Sequence, residues 1–190
     1  MRVWPALVLI ALAPTALMAQ SWGNGAPQTP RFEVCLPEQM EAFDAGLSTP
    51  GYGAAGHGAD WALGAMNVHW VQHCGYLAMG ICQVSDNSLM CQRRLRDAFD
   101  GRAAQMRALL PEPDAIEGEL APLYARVHAL AHGSNAGDDC AGWDYRRGLW
   151  CDSFQAVLKF EEAVWAWQVA RLMGVMGPLD WAVLSDLGDG

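Results

Sequence analysis

The chain is short of positive charge. Lysine occurs once, at Lys159, and the 12 basic residues face 21 acidic ones, for a formal net charge of −9. No run of arginines makes a basic patch. The balance argues against nucleic acid or anionic lipid held by long-range attraction, and a cationic protein partner suits its sign better. There is no CxxC, so a thioredoxin-type pair, a haem attachment site and a zinc ribbon are not expected. There is no alternating apolar pattern of the kind a half-buried strand needs. A nucleophile elbow, a phosphate loop, a dinucleotide fingerprint and paired catalytic carboxylates are also absent, which tilts the reading away from an enzyme.

Long apolar runs are missing too. Beyond residue 19 the most hydrophobic stretch, Val164 to Met176, carries Arg171 and follows Glu161 and Glu162. It reads as a buried core helix rather than a membrane span, and no integral span is expected in the mature chain. Residues 1–19 read as a signal peptide, with Arg2, an apolar run over Val3–Leu12 and a small residue at Ala19. The expected organisation is signal peptide 1–19, flexible lead-in 20–32 and one helical domain over 33–190, placed in the periplasm or secreted.

What is present in quantity is cysteine. Cys35, Cys74, Cys82, Cys91, Cys140 and Cys151 form an even set behind an export signal, so disulfides are the expectation. Ser85–Asp86–Asn87–Ser88 are turn and cap residues, so Cys82 and Cys91 flank a helix–turn–helix corner and should pair. Cys140 and Cys151 bracket a polar segment, Ala141 to Trp150, and should close it as a loop. Cys35 then reaches Cys74.

Helical periodicity recurs along the domain. A short helix is expected from Pro37 to Gly46, followed by a glycine-dense stretch over Ser48–Gly58. A long helix over Ala59–Val84 follows, with Leu63, Met66, Trp70, Cys74, Leu77 and Ile81 inward. The next spans Ser85–Leu110, with Leu95, Phe99, Met106 and Leu110 inward and Arg93, Arg94, Arg96, Arg102 and Arg107 mostly solvated. A third covers Ala115–His132, where Pro122 implies a kink or a later start and Gly133 caps the end. Its inward residues are Leu120, Leu123, Val127 and Leu130. A fourth covers Ser153–Met173 with Phe154, Leu158, Trp165 and Leu172 inward, and a short helix follows Pro178. The fold class is therefore all-α: a disulfide-stapled bundle of about four principal helices with short terminal ones.

Two histidine pairs stand at i, i+4 spacing, His69 with His73 and His128 with His132. Such a pair projects both imidazoles from one helix face, close enough to chelate one ion. If the two faces meet, the four side chains form a pocket suited to copper or zinc, with Met66, Tyr76 and Tyr124 alongside. The segment from Asp138 to Arg147 mixes Trp143, Tyr145 and arginines with acidic residues. It is either a binding surface or a place where Trp143 and Trp150 pack on the bundle.

Two short segments carry resemblances. The stretch from Met90–Cys91 to Leu109–Leu110–Pro111, followed by a further cysteine-bearing helical region, resembles the LprI-type lysozyme-inhibitor family over about thirty residues. That resemblance implies an exported helical inhibitor of a cell-wall hydrolase. The glycine-rich Tyr52–Gly58 loop and His73–Cys74–Gly75–Tyr76 resemble the calcium loop and helical motif of secreted phospholipase A2, which would imply a lipid hydrolase. Cys74 stands where that family has its metal-binding aspartate. The function expected from the whole is an exported helical binding or accessory protein of the cell envelope.

Overall fold

The computed structural model describes residues 32–47, 67–134 and 140–179. The signal segment, the lead-in up to residue 31 and the glycine-dense stretch lie outside the described residues. So does all but the start of the final helix expected from Pro178.

Five α-helices and no strand occur among the described residues. They are α1 (Phe32–Leu47), α2 (Trp70–Gln83), α3 (Ser88–Leu109), α4 (Ala121–Ala129) and α5 (Tyr145–Leu172). A 3₁₀ turn, Pro113–Ala115, precedes α4, and a π turn, Leu130–Ser134, follows it. Helix α5 is the hub: α2, α3, α4 and the π turn all pack on it, while α1 lies against α2. No helix among the described residues is long and apolar enough to cross a membrane.

The three disulfides are Cys35–Cys74, Cys82–Cys91 and Cys140–Cys151, the pairing the helix pattern suggests. Cys82–Cys91 closes the corner between α2 and α3, where the Ser85 hydroxyl donates to the Cys82 carbonyl at 3.0 Å. Pro122 sits in the first turn of α4, so that helix takes the later start rather than a kink. Gly133 ends the π turn at φ 86°, a left-handed conformation that favours glycine.

Four element boundaries differ from expectation. Helix α1 begins before Pro37, at Phe32. Helix α2 begins only at Trp70, because the Asn67 side-chain oxygen accepts the His69 backbone N–H at 3.3 Å and holds a turn there. Helix α3 starts at Ser88, three residues later than expected, since Ser85–Asn87 complete the corner. Helix α5 starts at Tyr145 instead of Ser153, because the Asp144 carboxylate caps it by accepting the Arg147 backbone N–H at 3.2 Å. The Cys140–Cys151 bridge therefore does not ring a loop. It ties a five-residue lead to the second turn of a helix.

The packed faces also differ. On α2 the buried residues are Val71, Cys74, Gly75, Ala78, Met79 and Cys82, while Leu77 is half exposed. On α5 the large residues Phe154, Leu158, Trp165 and Leu172 lie at the flank, and Ala156, Val157, Phe160, Ala163, Val164 and Trp167 form the centre. Arg102, expected in solvent, is buried on α3. Between α2 and α5 the cause is close approach: at Gly75 of α2 an added Cβ would lie 2.6 Å from a Val157 methyl of α5. Where helix axes come that near, only small side chains fit between them. A buried polar seam crosses the same region. Gln92 donates to the Met79 carbonyl at 3.1 Å, and the Ser153 hydroxyl lies 3.1 Å from the Gln92 carbonyl, linking α2, α3 and α5.

Candidate functional site

The four histidines do not converge. Among the described residues no group of three or more His, Cys, Asp or Glu side chains is placed to hold a metal ion. The expected four-imidazole pocket is not assembled, because each pair is engaged with different neighbours.

His69 caps the start of α2, and its Nδ1 lies 3.1 Å from Glu161 Oε1 on α5. Gln72 donates to the other oxygen, Oε2, at 2.5 Å. The carboxylate is 11% exposed at the side chain and the imidazole 79%. A buried carboxylate needs such donors to offset the loss of water. His69 and Gln72, one turn apart on α2, supply them. His73, one turn on, is exposed. The helical motif next to it cannot offer a free group at Cys74, whose sulfur is bonded to Cys35 and buried.

His128 and His132 do stay together. Their rings stack with centroids 4.1 Å apart and planes 28° from parallel. His132 Nδ1 donates to the His128 backbone carbonyl at 2.9 Å. His128 is buried and its Nε2 has no hydrogen-bond partner. Tyr124, a turn earlier on α4, packs against the His128 ring and donates its hydroxyl to the Pro111 carbonyl at 2.5 Å. Burial holds the His128 imidazole below its ordinary pKa, the neighbouring His132 lowers it further, and Glu112 opposes both. Burial, with Glu112 adding to it, pushes the Tyr124 phenol up to about 12.

The sign of the acid effect follows. An unfolded chain takes up a proton at His128 near an ordinary pKa of about 6.5, before the folded chain does, so folding stability falls as pH drops through that window. Thermal unfolding from pH 7 to 5.5 should show a declining Tm, with a shallower slope in His128→Gln. An equal slope in both proteins would refute the assignment. The Tyr124 phenol acts at the other end, where stability should fall as pH rises past about 10.

A third feature is a set of exposed aromatic rings. Trp143 is 50% exposed, Tyr145 57%, Trp150 40% and Tyr76 48%. Trp150 does pack on the bundle, against Phe154, while half of Trp143 stays exposed. Phe154 stacks between Tyr76, at 5.6 Å, and Trp150, at 6.1 Å, joining α2 to α5 in one row. The Arg93 guanidinium of α3 sits 5.4 Å from the centre of the Tyr145 ring. Asp144 pairs with Arg147 at 3.4 Å, an exposed contact of little energetic weight. The Cys140–Cys151 bridge and the Asp144 cap hold Trp143, Tyr145 and Trp150 on a fixed helix start. The segment's Trp143–Asp144–Tyr145 string is legible in the sequence. Its exposure is not, and neither is the Tyr76–Phe154–Trp150 row, which forms only where α2 meets α5.

No family model, curated protein or solved structure matches this chain.

Proposed function

We propose that the chain is an exported, disulfide-stapled helical binding or accessory protein of the cell envelope, whose exposed rings Trp143, Tyr145, Trp150 and Tyr76 are its docking residues for a protein partner. The observation that carries the reading is the exposure of those rings on a clamped helix start. Tryptophan, tyrosine and arginine dominate the binding energy of protein interfaces, and rings already held in place lose little entropy on binding. The net charge of −9 favours a cationic partner by speeding encounter. A secreted cell-wall hydrolase of high positive charge has that chemistry, and the inhibitor reading is the form of this proposal open to direct assay.

The assay is inhibition of lysozyme by the mature protein at low and high salt. Inhibition should weaken with salt, and Trp150→Ala and Tyr145→Ala should each cost about 2 kcal/mol or more of binding, the range of an interface hot spot. Unchanged inhibition in both variants would move the docking surface elsewhere. Absence of inhibition at any salt would remove the hydrolase as partner.

A further inference from the structure

The orphaned nitrogen of His128 points to a smaller metal centre than the sequence suggests, distinct from the aromatic docking face. Buried polar atoms are almost always hydrogen-bonded, and one that is not calls for a ligand, a water or an ion. His128 Nε2 is such an atom, in a side chain 9% exposed. The neighbouring ring is arranged to complement it. His132 donates from Nδ1 to the His128 carbonyl, so Nδ1 carries the proton and Nε2 carries the lone pair, the tautomer a metal ligand needs.

The surroundings favour a cation. Both rings lie in the last turn of α4 and the π turn beyond it, where the helix dipole is negative. Glu112, reaching from the 3₁₀ segment, adds a carboxylate charge felt at both His128 and Tyr124. The opposing charges are Arg126, in the last turn of α4 itself, and Arg107 of α3, whose guanidinium lies 3.5 Å from the Ala131 carbonyl and so is engaged with that backbone group.

We infer that His128 and His132 together bind one divalent transition ion of the zinc or copper class through their Nε2 atoms. Stacked rings cannot both point their ring planes at one ion, so binding requires a rotation. His132 is the exposed member and is the ring that turns, exchanging its stacking contact and its Nδ1 hydrogen bond to the His128 carbonyl for a metal–nitrogen bond. Two imidazoles leave two positions of a tetrahedral ion for water or a further ligand. The ion adds binding without redox chemistry in the case of zinc, and no protein group beyond the pair is required.

The test is calorimetric titration of the full mature protein with zinc chloride at pH 7.5, paired with histidine-ring NMR. One zinc per chain is expected, with the His128 and His132 ring signals shifting and those of His69 and His73 unmoved. His132→Gln, at an exposed position where folding is not at stake, should weaken binding by about tenfold or more, as loss of a ligand does. His69→Ala with His73→Ala should leave it intact. Zinc affinity unchanged in His132→Gln, shifts confined to His69 and His73, or no zinc binding at all would each overturn the site. The last outcome would assign the His128 nitrogen to a buried water. None of these results bears on the aromatic face, whose test is lysozyme inhibition.

Discussion

Cys35→Ala with Cys74→Ala should lower unfolding stability by about 4 kcal/mol, the largest loss from removing any one bridge. The two cysteines are 39 residues apart, whereas Cys82–Cys91 spans 9 and Cys140–Cys151 spans 11. On a chain-entropy account the longer loop restricts the unfolded state more, giving about 4 kcal/mol against a little under 3 for either shorter loop. The structure adds a second reason. Helix α1 packs mainly on α2, with the Asp44–Arg171 pair at 2.6 Å as its tie to α5. Among the described side chains of α1, Leu36 and Met40 join the buried core and Cys35 packs against it. With the bridge gone, α1 should exchange amide hydrogens and take proteolytic cuts well before the rest of the bundle. Urea unfolding checks the energy and hydrogen exchange checks the location. A loss no greater than that of the Cys82–Cys91 pair would contradict both arguments.

The second large effect belongs to Gly75. Two terms compete in Gly75→Leu. Helix propensity gains nearly 1 kcal/mol when glycine leaves a helix interior. Against it stands Val157, whose methyl carbons lie 2.6 and 2.7 Å from where the new Cβ would sit. Valine in a helix has essentially one favoured χ1, so it cannot swing away. The remainder of the leucine would have to part α2 from α5. Overpacking of this kind costs about 3 kcal/mol at its upper range, so the clash wins and the variant should be less stable by about 2 kcal/mol or more. Val157→Ala in the same chain should recover part of the loss, although it is itself destabilising. That non-additive pair is the decisive measurement. Strictly additive losses would mean the two helices are not in contact at Gly75.

The elements whose position was legible in the sequence are those governed by residues close along the chain. Cys82 and Cys91 pair because four turn and cap residues between them fold the chain back. Gly133 ends its helix because a left-handed residue is needed there. Pro122 delays α4 because a proline is tolerated in a first turn and not in an interior. The Asn67 turn and the Asp144 cap are equally local, and both have side chains of the capping type. They were masked by apolar patterns that ran through them, Leu63–Ile81 and the cysteine bracket at 140–151.

Side-chain periodicity places the core face of α3 correctly, with Leu95, Phe99, Met106 and Leu110 all buried, and errs on α2 and α5 by favouring bulk. There it points Leu77, Phe154, Leu158 and Trp165 inward, whereas the buried faces are Gly75, Ala78 and Met79 on α2 and Ala156, Phe160, Ala163 and Trp167 on α5. The candidate sites depend on that displacement. Phe154 at the flank is what gathers Tyr76 and Trp150 into an exposed row. Glu161, read in sequence as a charge bordering a core helix, becomes the buried acceptor for His69 across 92 residues.

From its own order of residues, this chain determined that it would be helical, that Cys82 joins Cys91 and that Cys140 joins Cys151, since each depends on neighbours within a few turns; the Cys35–Cys74 pair, 39 residues apart, follows by elimination. Which face of each helix is inside was decided only on assembly. At their closest approach α2 presents a glycine to Val157 of α5, and no pattern along a single helix records how near its partner will come.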